Sequence, residues 1–274
     1  MQPRWFRSAL PAALFCCVAA LAGCTSRSGP AVDQGDNDPY ESVNRKVWAF
    51  DMTLDRYLLS PVARGYRTVA PAAMQTAVAN VLNNLKSPMI MVNDLLQGNP
   101  DQFGQTFARL WMNTILGLGG MIDVGTATKI PYHAADFGQT LGVWGLPTGP
   151  YLVLPLLGPS DPRDSVGYAA DSVADPFSLK VKAANLDGAD EIRTGVSVIS
   201  DRAATLDDLE ELRRSSLDFY AAVRSLYQQQ REAAVQAGKN PAGAASPALD
   251  YDLTPATPVP TQPPAPAGSG KKAS

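Results

Sequence analysis

Residues 137–160 read FGQTLGVWGLPTGPYLVLPLLGPS and contain no ionisable side chain except that of Tyr151. A run of this length without charge belongs in a protein core or in lipid. It cannot be a plain transmembrane helix, because glycines and prolines interrupt its backbone hydrogen bonds at short intervals. Three placements stay open: a buried loop of a core, a segment that dips into one membrane leaflet, or the wall of a lipid-sized passage. Trp144 and Tyr151 favour the last two, because amphipathic rings settle at the level of lipid headgroups.

Two neighbouring stretches have the same character. Residues 111–122 (WMNTILGLGGMI) carry no charge, and residues 74–93 (MQTAVANVLNNLKSPMIMVN) carry only Lys86. Pro88 predicts a break of the second stretch into two short helical pieces, each with one apolar face and one amide-bearing face. Such pieces suit a position in one leaflet, although an ordinary helical hairpin in a core explains them equally well.

The rest of the domain, residues 38–238, is dominated by helical periodicity and predicts a mostly α, single-domain fold. Apolar residues recur at helical spacing after Asp38-Pro39, after Pro71 and around Phe103–Trp111. The clearest stripe is predicted as one continuous helix, opened by a capping box at Thr205 and Asp208 and ended near Gly238. Its apolar members are Leu206, Leu209, Leu212, Leu217, Tyr220, Val223 and Tyr227. No period-2 run of convincing length predicts a sheet.

The N-terminus has the layout of a bacterial secretory signal, predicted over residues 1–23. Arg4 and Arg7 precede an apolar run that is too short to span a bilayer. The run ends in Leu-Ala-Gly-Cys24, which resembles a lipobox and predicts diacylglyceryl and N-acyl groups on Cys24. The alternative is an ordinary signal that leaves Cys24 as a free thiol. The resemblance to lipoprotein signals also implies export to the outer membrane, because Thr25 stands where an Asp would specify retention at the inner membrane.

Both flanks of the domain read as unstructured. Residues 24–37 are small and polar after the lipidated cysteine, which predicts a flexible tether. Residues 239–274 are rich in Pro and Ala and cannot bury enough apolar surface to offset ordering, so a disordered tail is predicted.

Composition excludes several classes of function. Without residues 1–23 the chain has 21 basic and 26 acidic residues, which does not indicate a nucleic-acid partner. Cys16, Cys17 and Cys24 lie in the signal or at its cleavage site, so no disulfide is expected. His133 is the only histidine and reads as a loop residue; no HExxH or GxSxG motif is present, and neither a metal site nor a catalytic residue is predicted.

Two further motifs have structural interpretations. The glycines of residues 117–120 lack the remaining features of a phosphate-binding loop, so a tight helix C-terminus is the better interpretation. A cluster of carboxylates around Arg163 predicts charge pairing that fixes a Pro-rich turn, its members being Asp161, Asp164, Asp171 and Asp175.

The order of several motifs resembles the MlaA (VacJ) family of outer-membrane lipoproteins over about residues 38–232. The matching pieces are Asp38-Pro39-Tyr40-Glu41-x-x-Asn44-Arg45, Pro61-Val62-Ala63, Asn93-x-x-Leu96-Gln97-Gly98, Arg109-x-x-x-Asn113-Thr114-Ile115-Leu116-Gly117-x-Gly119-Gly120-x-Ile122-Asp123-Val124, Asp136-Phe137-Gly138-Gln139-Thr140-Leu141-Gly142, Gly149-Pro150-Tyr151-x-x-Leu154-Pro155, Arg163-Asp164, Arg202-Ala203 and Ser215-Ser216-x-Asp218-x-Tyr220-x-x-Arg224-x-x-Tyr227. Ser42-Val43 and the long Pro-rich tail depart from the family pattern.

The resemblance implies a ring-like helical body embedded in the inner leaflet of the outer membrane, lipid-anchored on the periplasmic side. Phospholipids misplaced in the outer leaflet would pass through a central channel toward a periplasmic lipid-carrier protein, which maintains lipid asymmetry, and trimeric porins would be partners. No enzyme activity and no cofactor are implied beyond the acyl groups on Cys24. The rival interpretations are a structural lipoprotein that scaffolds porins or the cell envelope, and a periplasmic lipase.

Polar residues of the matching motifs are the candidates for lining or bracing the passage: Asn44, Arg45, Asn113, Asp123, Asp136, Arg163 and Asp164. Gly142, Gly145 and Gly149 are candidate hinges in the uncharged stretch.

Overall fold

Helices make up most of the computed structural model, which describes residues 38–186 and 188–241 and confirms the mostly α prediction. The predicted signal, Cys24, the predicted tether and residues 242–274 of the predicted tail lie outside the described residues. A π-helical turn at Asp55–Leu59 joins the first two helices. The α-helices are α1 (Glu41–Leu54), α2 (Ser60–Val69), α3 (Ala72–Leu96), α4 (Pro100–Ile115), α5 (Val124–Ala127), α6 (Phe137–Val143), α7 (Pro162–Ala174), α8 (Pro176–Ala183), α9 (Ala189–Ala204), α10 (Leu206–Ser215) and α11 (Phe219–Lys239).

The uncharged stretch forms α6, an irregular loop and a small β-hairpin. Strands β1 (Leu152–Leu154) and β2 (Gly158–Ser160) pair antiparallel, with Leu152 opposite Ser160. Strands of three residues are too short to show a period-2 pattern in the sequence. Gly145 and Gly149 have positive φ angles of 95° and 77°, which glycine adopts without steric cost.

Contacts between neighbouring elements close on themselves. The π-helical turn joins α1 to α2, which packs against α9; α9 packs against α3, α3 against α6, and α6 against α11. The circuit closes through the hairpin, because α11 packs against β2, β2 pairs with β1, and β1 packs against α1. The chain therefore forms a single domain in which the elements follow one another in a closed circuit.

Pro88 does not break the second uncharged stretch, which corrects the prediction of two short helical pieces. α3 runs without interruption from Ala72 to Leu96 with Pro88 inside it. Pro88 removes one backbone donor, but α3 packs along α4 and also against α6, α8 and α9. These tertiary contacts hold the helix together across the missing hydrogen bond.

The last apolar stripe is two helices rather than one. α10 ends at Ser215, and Asp218 caps the start of α11 by accepting a hydrogen bond from the backbone N–H of Ala221 at 3.2 Å. Leu217, between them, is fully exposed. The predicted capping box is also wrong, because the Thr205 hydroxyl donates to the carbonyl of Asp201 at 3.1 Å and so closes α9 instead.

The distribution of polarity is inverted relative to an ordinary soluble domain. Among residues 38–186 and 188–241, 21 polar or charged residues are buried, against 12 hydrophobic ones. The same part of the chain exposes 32 large hydrophobic side chains. Buried polar groups and extensive exposed apolar surface are the two departures that carry information about environment. None of the described helices is long and apolar enough to cross a membrane.

Candidate functional site

A polar concavity, here called the amide cleft, lies between α3, α4 and the loop that follows α4. Its lining is Asn80, Asn83, Asn84, Ser87, Arg109, Asn113, Asp123 and Tyr132. The three asparagines Asn80, Asn83 and Asn84 are spaced at i, i+3 and i+4, so they share one face of α3. The amide-bearing face predicted from the sequence therefore exists, and it faces a polar interior.

Arg109 and Asp123 form the charged floor of the amide cleft. Arg109 Nη2 donates to both carboxylate oxygens of Asp123 at 2.9 Å, and Asn113 Nδ2 donates to Asp123 Oδ1 at 3.2 Å. Burial alone would raise the pKa of Asp123, but hydrogen bonds from Thr126 and Arg109 outweigh it and lower the pKa. Gly125 permits this packing, because a Cβ there would lie 2.8 Å from Arg109 Cγ.

An apolar loop, residues 116–122, borders the amide cleft. Leu118 and Ile122 in this loop, and Ile115 at the end of α4, expose 70%, 53% and 62% of their surface. Asn80 Nδ2 holds the loop by donating to the carbonyl of Met121 at 3.1 Å. Leu118 and Gly120 have positive φ, as expected for a tight helix C-terminus. Most large apolar side chains of the uncharged stretch 111–122 are thus on the surface, while Asn113 within it is buried in the polar cleft.

A second concavity, here called the hairpin cavity, has a volume of about 260 Å³ and is amphipathic. Leu154, Leu157 and Pro159 form its apolar wall, while Asp136, Ser160, Asp164, Tyr168, Asp171, Tyr227 and Arg231 supply the polar side. A cavity with one apolar and one charged wall suits an amphiphile.

Arg231 organises the polar side of the hairpin cavity. Its Nη1 lies 2.7 Å from Asp136 Oδ2, and its Nη2 lies 2.8 Å from Asp164 Oδ1. Asp136 also caps α6 through the backbone N–H of Gln139. Its side chain is 42% exposed; desolvation by the surrounding protein would raise its pKa, but the pairing with Arg231 lowers it. The guanidinium therefore joins α11 to the starts of both α6 and α7.

Asp161 lies close to the Arg231–Asp164 pair, and the nearest cations compensate its charge only weakly. It caps α7 by accepting from the N–H of Asp164 at 2.9 Å, and Arg163 is 3.8 Å away. Burial, and then repulsion from Asp164, raise the pKa of Asp161 to about 6. The Tyr227 hydroxyl donates to Asp164 at 2.6 Å.

The predicted charge pairing around Arg163 is confirmed for Asp161 and Asp164 but wrong for the other two carboxylates. Asp175 pairs with Arg193 instead, at 2.5 Å. Asp171 accepts from the backbone N–H of Phe137 at 2.9 Å. Asp171 and Asp175 follow Arg163 by two and about three helical turns, so the rise of α7 places them roughly 12 Å or more along its axis, beyond reach of the guanidinium.

Asn44 and Arg45 are adjacent in sequence but lie in different environments. Asn44 is buried; its Nδ2 donates to the Tyr151 carbonyl at 3.0 Å, and its Oδ1 accepts from the Val153 N–H at 3.0 Å. It thereby ties α1 to β1. Arg45 is partly exposed and pairs with Glu41 at 2.6 Å and Asp218 at 2.5 Å.

The structure therefore sorts the seven candidate residues into groups. Asn113 and Asp123 meet in the amide cleft. Asp136 and Asp164 line the hairpin cavity. Arg163 pairs with Asp164 at 3.2 Å but does not line the cavity, and Asn44 and Arg45 lie elsewhere. Each of the seven makes a hydrogen bond or ion pair that braces the fold, and their relation to a passage stays a prediction.

Among the candidate hinges, Gly142 lies inside α6 against α11, where a Cβ would come within 2.6 Å of Val235 Cγ2. Gly145 and Gly149 lie in the irregular loop. Hinge motion at these positions stays a prediction.

Sequence reasoning missed the arginines that complete these clusters. Arg109 and Arg231 are the cations of the two concavities, and Arg224 lies 3.0 Å from the buried Asp38. Both Arg224 and Arg231 lie on the last amphipathic helix, where charged residues usually face solvent. The available signal was the number of aspartates in otherwise apolar segments, because a buried carboxylate requires a cation.

His133 lies in a loop, as predicted, with Nε2 at 2.9 Å from Asp94 Oδ1. The nearby Thr106 hydroxyl approaches the same nitrogen at 3.4 Å. A catalytic triad needs the carboxylate and the nucleophile on opposite ring nitrogens. The arrangement is therefore a buried polar cluster without triad geometry.

The chain is similar to known proteins in both sequence and structure. The family model described as "MlaA lipoprotein" matches residues 36–234. A Haemophilus influenzae protein named "Intermembrane phospholipid transport system lipoprotein MlaA" is 32% identical over 232 residues, covering 80% of this chain and 88% of its own. The Escherichia coli K12 protein of the same name is 36% identical over 228 residues, with coverages of 80% and 86%. A solved structure described as "Structural basis for maintenance of bacterial outer membrane lipid asymmetry" is similar with a TM-score of 0.64 and 34% identity, covering 72% of this chain and 98% of the other.

Proposed function

Because the chain belongs to the MlaA lipoprotein family, we propose that it extracts mislocalised phospholipids from the outer leaflet of the outer membrane and passes them through a central channel for retrograde transport. Its relatives in Haemophilus influenzae and Escherichia coli are named as lipoproteins of an intermembrane phospholipid transport system, which supports a role in phospholipid transport. Trimeric porins and a periplasmic lipid-carrier protein are the partners that the family resemblance implies.

The observation that carries the proposal is the inverted polarity of the domain. In water, the exposed apolar side chains would each keep an unfavourable contact with solvent, at roughly 25 cal/mol per Å². In the acyl region of one leaflet, contact with lipid chains removes this cost. The polar groups inside the domain can then form hydrogen bonds with lipid headgroups, which the acyl region cannot. A domain with polar interior clusters and an apolar exterior therefore fits a position within a leaflet.

The two concavities supply the amphipathic surfaces that such a path requires. In each, polar groups lie next to apolar ones: the amide cleft beside residues 116–122, and the charged wall of the hairpin cavity opposite Leu154 and Leu157. A phospholipid can keep its headgroup on the polar side while its chains follow the apolar side. No covalent step is needed, because relief of lipid asymmetry and uptake by a carrier drive the movement.

The membrane anchor belongs to the same proposal. Residues 1–23 would be removed as a signal, and acyl chains on Cys24 would hold the protein to the outer membrane through residues 24–37. Each buried methylene contributes about 0.8 kcal/mol, so two or more chains give stable anchoring.

The test is a strain from which the gene is deleted, with outer-leaflet phospholipid and porin trimers both quantified. We expect outer-leaflet phospholipid to rise while porin trimers stay unchanged, and the wild-type gene to reverse the rise. Unchanged phospholipid with impaired porin assembly would instead support a structural scaffold and contradict transport. Complementation by His133→Gln, which keeps an N–H donor for the buried Asp94, is expected to be complete, whereas a lipase dependent on His133 would not be restored.

A further inference from the structure

The exposed face of α1 and of the π-helical turn that follows it, here called the α1 face, is apolar and carries two cations. Val43, Phe50 and Tyr57 recur every seven residues, about two helical turns, and each exposes more than half of its surface. Lys46 and Arg56 are exposed on the same side. Neither forms an ion pair within residues 38–186 and 188–241.

The carboxylates of this segment are withdrawn from the α1 face. Asp51 and Asp55 are buried: Asp51 accepts a backbone N–H of the β-hairpin turn at 2.9 Å, and Asp55 pairs with Arg202 at 2.6 Å. Glu41, just before the face, is paired with Arg45 at 2.6 Å. The α1 face therefore presents positive charge that no neighbouring carboxylate compensates.

This combination of residues is typical of a helix that lies in the membrane interface. Such helices bury aromatic and aliphatic side chains below the headgroups and keep Lys or Arg among the headgroups. Lys46 lies one turn from both Val43 and Phe50, so its stem can follow their apolar surface while its ammonium reaches water. The Arg56 guanidinium lies 5.9 Å from the centre of the Tyr57 ring, and rings with a polar end settle at headgroup depth.

The charge of the α1 face favours an anionic lipid over a zwitterionic one. Each basic side chain close to an anionic membrane surface strengthens binding by about fivefold. Because the cations and the apolar side chains share one face, the partner must offer negative charge and acyl chains together. An anionic phospholipid in a bilayer offers both.

The position of α1 in the chain agrees with such a contact. On the proposed function, acyl groups on Cys24 anchor the chain fourteen positions before Asp38. A chain of that length spans at most about 50 Å when fully extended. The start of α1 is therefore the part of the described domain that the anchor restrains most directly.

We propose that the α1 face is an interfacial contact for anionic phospholipids of the leaflet that holds the domain. Lys46 and Arg56 donate to the phosphate oxygens, and Val43, Phe50 and Tyr57 lie among the upper acyl chains. The inference rests on the proposed function and deepens it, because it names the element that docks the domain and the headgroup charge that this element selects.

The experiment places a photoreactive residue at Thr53, which is exposed on the α1 face three positions from both Phe50 and Arg56. The full-length acylated protein is reconstituted in vesicles of equal amounts of phosphatidylethanolamine and phosphatidylglycerol, and lipid adducts are quantified by mass spectrometry. We expect adducts of phosphatidylglycerol to exceed those of phosphatidylethanolamine by about fivefold or more. Equal adducts of the two lipids would overturn the inference.

Two double variants with the same loss of charge separate the α1 face from the net charge of the protein. Lys46→Gln/Arg56→Gln should bring the two lipids to nearly equal adducts at Thr53. Lys86→Gln/Lys129→Gln removes two exposed lysines outside α1 and should keep the wild-type preference. Loss of the preference in both variants would overturn the role of Lys46 and Arg56.

A salt series makes the same test in a protein with both cations intact. Raising the ionic strength from about 0.1 M to 1 M shortens the Debye length from roughly 10 Å to 3 Å, so the preference should shrink while adducts persist. A preference that salt does not change would contradict recognition by charge.

A photoreactive residue at Leu118 distinguishes failure of the inference from failure of the proposed function. Lipid adducts at Leu118 with none at Thr53, or with crosslinks from Thr53 to a second copy of the chain, would overturn the inference alone. Absence of lipid adducts at both positions would overturn the proposed function itself.

Discussion

Single residues in this domain are held by ion pairs that join distant parts of the chain. Asp55 meets Arg202 at 2.6 Å, and Asp38 meets Arg224 at 3.0 Å. Each aspartate in these pairs is buried, so neither charge is tolerable without its partner. These pairs do what an apolar core does in other domains, because they fix the relative positions of helices.

The clearest case is Arg231, and its replacement gives a first prediction. Arg231→Met would leave Asp164, whose side chain is 11% exposed, without its main cation. We expect a loss of about 3–5 kcal/mol in the free energy of unfolding, as for other buried pairs that lose one partner. Chemical denaturation of the detergent-solubilised protein measures it.

Arg67→Met is the matched control, because its partner Asp207 is 81% exposed and the pair lies on the surface. Such pairs contribute about 1 kcal/mol or less. Equal stability losses in the two variants would contradict the role assigned to Arg231.

Asp161 gives a prediction of pH dependence. Its pKa is about 6 in the folded protein and 3.8 for the free side chain. As pH rises, the unfolded chain releases this proton first, so the carboxyl's contribution to stability falls between about pH 4 and pH 6 and stays low above. Asp161→Asn keeps an oxygen to cap α7 and removes the titration. As pH rises from 4.5 to 7.5, the free energy of unfolding of the variant should increase relative to that of the wild type by on the order of 1–3 kcal/mol. Parallel stability profiles for the two proteins would contradict this.

At the level of elements, local patterns predicted helices where the apolar stripe is short and clearly bounded. α1 and α4 follow the spacing of Val43 to Leu54 and of Phe103 to Trp111. The errors arose where tertiary contacts or a cap override local preference. Packing against four helices carries α3 through Pro88, and the Asp218 cap starts a new helix inside a continuous stripe.

Close packing of α6 against α11 gives the prediction at this scale. Gly142→Ala places a methyl group 2.6 Å from Val235 Cγ2 and 2.8 Å from Arg163 Nη1. We expect overpacking to cost about 1–3 kcal/mol, measured by thermal unfolding.

Gly104→Ala in α4 is the control, because a Cβ there meets nothing within 4 Å. Alanine is favoured over glycine in a helix by up to about 1 kcal/mol. The control should therefore be neutral or stabilising, and a destabilised control with an unaffected Gly142 variant would refute the packing account.

For the molecule as a whole, the sequence predicted the apolar surface more readily than the polar interior. Uncharged runs are visible in the sequence itself, and most large apolar side chains of residues 111–122 are exposed beside the amide cleft. The partners Arg109 and Arg231 were not predicted as site residues, because Arg231 lies 95 positions from Asp136 and the spacing of a long-range pair leaves no periodic trace.

The exposed apolar surface predicts binding to lipid by the unacylated mature chain. Ile115→Glu places a charge in the patch beside the amide cleft, where the wild-type side chain is 62% exposed. An isoleucine side chain that moves from water into lipid contributes about 1.5–3 kcal/mol to the free energy of transfer. Partitioning of the Ile115→Glu variant into vesicles should therefore fall by about tenfold or more. Leu217→Glu changes a lone exposed leucine between α10 and α11 and should leave partitioning unchanged.

On the proposed function, this domain sits in lipid and leads phospholipids through its polar interior. Photocrosslinking in intact cells tests it most directly, with a photoreactive residue placed at Asn83 in the amide cleft or at Leu118 on the apolar loop of the full-length protein. We predict phospholipid adducts at both positions by mass spectrometry, through the headgroup at Asn83 and through the acyl chains at Leu118. Adducts at Leu118 alone would show a domain that rests in lipid without admitting it, and would contradict the account.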